Sequence, residues 1–95
     1  MITGNWKNRS ITRDNVMTIE ISDNDFLHLD KDSSFYYSLE YAKKYMKGQW
    51  DYSDHTLHLH YEKPDTIRHF EVDVLTKHYL EFHEGNTVFR YSRID

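Results

Sequence analysis

Cysteine is absent from the 95 residues, which excludes disulfides, thiolate metal sites and cysteine nucleophiles. Proline occurs once and glycine three times. Gly4, Gly48 and Gly85 are too few and too scattered for a loop that cradles a nucleotide phosphate. A basic excess is also missing. Twelve Lys and Arg stand against 16 Asp and Glu, a formal charge of −4, so no partner held by clustered phosphate neutralisation is expected and nucleic acid is excluded as a partner. No apolar run approaches the ~18 residues of a membrane-spanning helix. The opening Met1-Ile2-Thr3-Gly4-Asn5-Trp6 has no basic region followed by an apolar stretch, so no signal peptide is read there. As written, the chain is cytoplasmic, or it is an exported protein whose signal has been removed.

What is present is apolar and aromatic: 38% hydrophobic and 16% aromatic residues, enough for one packed domain over 1–95 and too much for disorder. Turn-forming residues recur at Thr12-Arg13-Asp14-Asn15, Ser22-Asp23-Asn24-Asp25, Asp30-Lys31-Asp32-Ser33, Ser53-Asp54-His55, Lys63-Pro64-Asp65, Thr76-Lys77 and Gly85-Asn86. A spacing of ~8–12 residues between such signals marks an all-β sandwich or barrel. Between them apolar residues alternate: Met17, Ile19 and Ile21; Leu27 and Leu29; Leu57, Leu59 and Tyr61; Phe70, Val72 and Val74; Leu80 and Phe82; Phe89 and Tyr91. Period two is the mark of strands with one buried face. These strands predict an all-β fold, a small antiparallel up-and-down barrel of about eight to nine strands whose interior side chains nearly fill.

Registers follow. A two-residue turn at Gly85-Asn86 pairs Glu84 with Thr87, then Phe82 with Phe89 and Leu80 with Tyr91 on the core face, and Glu81 with Arg90 outside. A turn at Lys63-Pro64 pairs Glu62 with Asp65, Leu57 with Phe70 inside and His58 with His69 outside. The stretch 34–47 admits two readings. Phe35, Tyr37, Leu39 and Tyr41 alternate as a strand, followed by a turn at Ala42-Lys43-Lys44 and a strand through Trp50. Leu39, Ala42 and Met46 also have the spacing of a short helix over 38–47.

Several segments together resemble the bacterial lipocalin-like domains of the calycin superfamily. Gly4-Asn5-Trp6-Lys7 is similar to the Gly-x-Trp opening of the first strand. Gly48-Gln49-Trp50-Asp51 running into Thr56-Leu57-His58-Leu59-His60-Tyr61 resembles a Gly-x-Trp, turn, Thr-Leu-x-Leu-x-Tyr pattern. Phe70 to Thr76, Tyr79 to Phe82 and Val88 to Ile94 resemble the closing strands, which end on an Arg after alternating aromatics. The resemblance implies an up-and-down barrel with a filled base and a cup at the other end. It also implies that Trp6 packs under Arg93, a cation–π contact closing the base, with Trp50 as a second structural tryptophan. This chain is shorter than most of the group and lacks the lipoprotein signal that many of its members carry.

Seven histidines are the unusual feature. His58 and His60 share a strand face, His69 lies across from His58, and His83 falls opposite His69 or Glu71. His58, His60, His69 and His83 are therefore candidate ligands for Zn²⁺ or Cu²⁺ on the outer face, although ordinary polar residues on a solvated sheet explain them as well. Of the eight tyrosines, Tyr37, Tyr41, Tyr61 and Tyr91 have inward parity and are candidates to line a pocket. No nucleophile elbow, phosphate loop or His-Glu-x-x-His motif is present, so neither an enzyme nor a cofactor is expected. Three functions stay open: a barrel holding a small apolar or amphipathic ligand, a protein-interaction module of the inhibitor or immunity type, and divalent-metal handling by the outer histidines. Oligomeric state is not legible.

Overall fold

In the computed structural model, residues 2–17, 25–39, 44–62 and 65–94 are described. Their elements are all strands: β1 (Gly4–Arg13), β2 (Val16–Met17), β3 (Phe26–Leu29), β4 (Ser34–Leu39), β5 (Lys44–Ser53), β6 (Thr56–Tyr61), β7 (Thr66–Leu75), β8 (Tyr79–Glu84) and β9 (Thr87–Arg93). Each of β3 to β8 pairs antiparallel with the next, and β1 pairs with both β3 and β9. The sheet thus closes into an eight-stranded up-and-down barrel, leaving no open edge along the ring. The two residues of β2 form a short hairpin arm on the end of β1.

The described turns form where the sequence places them, though by different chemistry; the expected turn at Ser22-Asp23-Asn24 lies outside the described residues. Asp14-Asn15 and Asp54-His55 take positive φ at both positions, the requirement of the tight turn whose twist matches a hairpin. Gly85, at φ 60°, fills the first position of its turn. At the β3–β4 turn Asp32 accepts hydrogen bonds from the Ser34 amide at 2.9 Å and the Ser34 hydroxyl at 2.6 Å. The hydroxyl first, then the amide, hold its carboxyl below the usual carboxylate range.

Both predicted hairpin registers are present. Phe82 faces Phe89, Leu80 faces Tyr91, and Glu81 faces Arg90 with Nε to Oε1 at 2.9 Å. Leu57 faces Phe70 and His58 faces His69. Over 34–39 and 44–53 the chain is strand, with Tyr37 opposite Met46; of the expected turn Ala42-Lys43-Lys44, Lys44 is instead the first residue of β5, paired with Leu39, and Ala42, Lys43 and Tyr41 lie outside the described residues. So do Ile19 and Ile21, and the Lys63-Pro64 turn itself. One alternation ends early. Val74 is 39% exposed, not inward with Phe70 and Val72. An extra residue, Asp73, bulges between Val72 and Val74 and shifts the phase, so Leu75 takes the inward place opposite Leu80.

The strand directions define two ends. At the base Trp6 is fully buried, its indole N–H donating to Ile2 O at 2.8 Å. The Arg93 guanidinium lies 4.2 Å from the Trp6 ring centroid and donates to Thr3 O and Lys77 O at 2.7 and 2.8 Å. Trp50 donates its indole N–H to Asp30 O at 2.8 Å, tying β5 to the β3–β4 turn. The middle is aromatic, with Phe82 5.3 Å from Phe89 and 5.4 Å from Tyr91 between ring centroids.

Candidate functional site

Toward the other end the inward positions turn polar. Along β7 the inward row runs from Val72 and Phe70 to Arg68; along β8 it runs from Leu80 and Phe82 to Glu84. Arg68 therefore stands above the aromatic layer, its guanidinium 5.0 Å from the Phe70 ring centroid. It grips Glu84 with two hydrogen bonds, Nε to Oε2 at 3.1 Å and Nη2 to Oε1, and donates from Nη1 to the Tyr61 hydroxyl at 3.4 Å. The Glu84 hydrogen bonds chiefly hold the guanidinium in its charged form.

The tyrosines complete the cluster. Burial is the main cause that pushes Tyr37, Tyr61 and Tyr91 above the ordinary phenol range. Tyr37 is pushed further by Tyr61, and Tyr91 by both Tyr37 and Tyr61, while Arg68 pulls all three the other way. At neutral pH these are uncharged hydroxyls, able to donate and to accept. The Asp25 carboxylate raises Tyr37 and Tyr91 in the same way, so it belongs to the same interior.

Deeper, β1 contributes Asn8. A bulge between Asn8 and Ser10 lets both Asn8 and Ile11 face inward on either side of it. Asn8 is paired with Tyr91 across β1 and β9, and its main-chain N–H donates to Asp25 O at 2.8 Å. Its side chain is 1% exposed, yet neither the amide nitrogen nor the amide oxygen has a hydrogen-bond partner among the described residues. The Tyr91 hydroxyl is in the same state. Two neighbouring, inward-facing, unsatisfied polar groups in one barrel are unusual, since each costs roughly 1–3 kcal/mol when left unpaired.

Of the four tyrosines with inward parity, Tyr37, Tyr61 and Tyr91 converge in this cluster and Tyr41 lies outside the described residues. Asn8, Asp25, Arg68 and Glu84 are missed by a search for apolar alternation. Each nonetheless continues an inward row by two residues: Asn8 from Trp6, Asp25 from Leu27, Arg68 from Phe70 and Glu84 from Phe82.

The four outer histidines do not come together. His58 Nδ1 is 2.5 Å from His69 Nδ1, His60 bonds Asp65 at 2.5 Å, and His83 bonds Asp73 at 2.6 Å. His83 is paired with Glu71 rather than His69. Among the described residues no group of three or more His, Asp or Glu side chains converges on a metal position. A groove of about 300 Å³ runs over this face, bordered by Gln49, Asp51, His58, His60, Ile67 and His69. Among the described residues no helix is long and apolar enough to cross a membrane.

No known protein family and no curated protein matches the chain. In structure it is similar to a lipocalin-like protein from Bacteroides uniformis, with a TM-score of 0.76, 16% identity and 98% of each chain covered. It is also similar to an uncharacterized protein from Bacteroides eggerthii, with a TM-score of 0.74, 16% identity, and 97% of this chain and 98% of that one covered. At that identity the likeness establishes the fold: a lipocalin-like β-barrel.

Proposed function

We propose that this lipocalin-like barrel is a non-enzymatic binding module that holds a small amphipathic molecule in its interior. The observation that carries the reading is the Asn8 amide and the Tyr91 hydroxyl, borne by cross-strand partners of β1 and β9, both buried and both unpartnered among the described residues. A ligand group that both donates and accepts satisfies the amide, whose nitrogen donates and whose oxygen accepts. The ligand's polar end is received by Asn8 and the three neutral phenols, and its apolar part lies against Phe70, Phe82 and Phe89. Arg68 and Glu84 neutralise one another, so the site favours an uncharged polar head over a strongly ionic one.

Native mass spectrometry of the untagged chain, purified without metal-affinity resin, tests this. The expected result is a non-covalent organic adduct on the wild type that disappears on denaturation and is absent from the folded Asn8→Leu protein. A wild-type mass equal to that of the bare chain would reject the reading and leave protein–protein interaction as the better account.

A further inference from the structure

The geometry points to a divalent transition-metal site on the outer face, held by Nδ1 of His58 and Nδ1 of His69 and selective for Cu²⁺ over Zn²⁺. It is independent of the interior cluster. The two histidines are direct cross-strand partners on β6 and β7, so the backbone sets their separation and no loop must be ordered to bring them together. Their rings meet nearly at right angles, at 85° with centroids 4.7 Å apart, and the two Nδ1 atoms face each other at 2.5 Å. At that distance one nitrogen must carry a hydrogen and the other must accept it.

A metal ion fits where that bridging hydrogen sits. Imidazole nitrogens bind such ions at about 2.0–2.1 Å, which places two ligands of one ion about 3 Å apart. The pair therefore needs only a small opening at the outer surface to become a chelate. Asp51 supplies the second element of such a site. It is the cross-strand partner of His58 on β5, and its Oδ1 lies 3.9 Å from His58 Nε2, the nitrogen on the far side of the ring. At that distance Asp51 makes no hydrogen bond to the ring; it adds a negative charge beside the pair, which favours a bound cation electrostatically. Metal binding moves the bridging hydrogen to Nε2 of the ring that carries it, so the charge of the ligand set is unchanged.

His60 and His83 are hydrogen-bonded to their own carboxylates, Asp65 and Asp73, and take no part, because among the described residues no third His, Asp or Glu converges with the His58–His69 pair. With only two protein nitrogens, water fills the remaining positions. Cu²⁺ is preferred because it stands at the top of the affinity order for nitrogen donors.

The test is calorimetric titration of the untagged protein with Cu²⁺, with electron paramagnetic resonance of the loaded sample. One saturable equivalent and a spectrum showing two imidazole nitrogens are expected. His58→Ala and His69→Ala each weaken binding at least ten-fold, and Asp51→Asn weakens it less than either, with unchanged stoichiometry. His60→Ala and His83→Ala leave it unchanged. His69→Gln, which keeps a polar side chain of similar reach, loses binding as well if the imidazole is the ligand, and circular dichroism confirms that each variant is folded. Absence of saturable binding by the wild type overturns the assignment. So does equal loss in His60→Ala or His83→Ala.

Discussion

Asn8 concentrates the tension between stability and function in one side chain. Its amide is taken from water and is not given a partner among the described residues. Replacing it with Leu, similar in size and apolar, removes that cost and forfeits no hydrogen bond. Asn8→Leu is therefore expected to raise unfolding free energy by about 1 kcal/mol in urea denaturation while abolishing the adduct seen by native mass spectrometry. A variant less stable than the wild type would show that the amide is satisfied within the fold. Three tyrosines of the candidate site are legible in the sequence because an aromatic ring at inward parity is an obvious core residue. Asn8, Asp25, Arg68 and Glu84 are not, because a polar residue at a strand position reads as solvent-facing until the register shows which side of the barrel it occupies.

At the scale of single elements, small irregularities decide where side chains point. The extra residues in β1 and β7 keep Asn8 and Ile11 both inward and send Val74 out. Period-two counting cannot foresee either, since one inserted residue inverts the parity of everything after it. Gly48 shows a second constraint. It is buried in β5 between Phe35 on β4 and Tyr61 on β6, and an added Cβ would lie 1.9 Å from the His60 carbonyl oxygen. That atom is backbone of the paired strand, so relief requires β5 and β6 to separate. Gly48→Ala is expected to cost about 3 kcal/mol, measured as a fall in the urea midpoint with an unchanged slope; a loss below the error of the measurement would show that the two strands yield freely. Within 34–47 the strand-or-helix ambiguity is likewise resolved by partners for the described residues, 34–39 and 44–47. Ser34 to Leu39 and Lys44 to Ser53 lie between β3 and β6, and pairing on both sides outweighs a modest helix propensity.

For the whole barrel, closure by β1 against β9 gathers three phenols into one interior, and their titration becomes a property of the fold. Burial raises Tyr37, Tyr61 and Tyr91 above the value of about 10 that they have in the unfolded chain. A raised folded pKa stabilises the native state fully below the unfolded value, and that contribution is lost as pH rises through the folded value. The protein is thus expected to keep its stability to about pH 10 and to unfold cooperatively above it. Tyrosinate absorbance should show a late step coincident with loss of the circular dichroism signal, smaller in a Tyr37→Phe/Tyr61→Phe variant. A single smooth titration of all eight tyrosines with the fold intact would contradict this.

The alternation of apolar residues and the spacing of turns determined the strands, the two hairpin registers and the aromatic core, because each depends on neighbours close in sequence. Only the tertiary structure decided that Asn8 pairs with Tyr91, that Arg68 and Glu84 clasp at a half-exposed end of the inward rows, and that the four outer histidines separate into distinct pairs. The first rests on β1 meeting β9 from opposite ends of the chain, and the others on which polar side chains of neighbouring strands find one another, with the Asp73 bulge shifting the phase between β7 and β8. Neither closure nor a one-residue shift of phase leaves a mark in local periodicity.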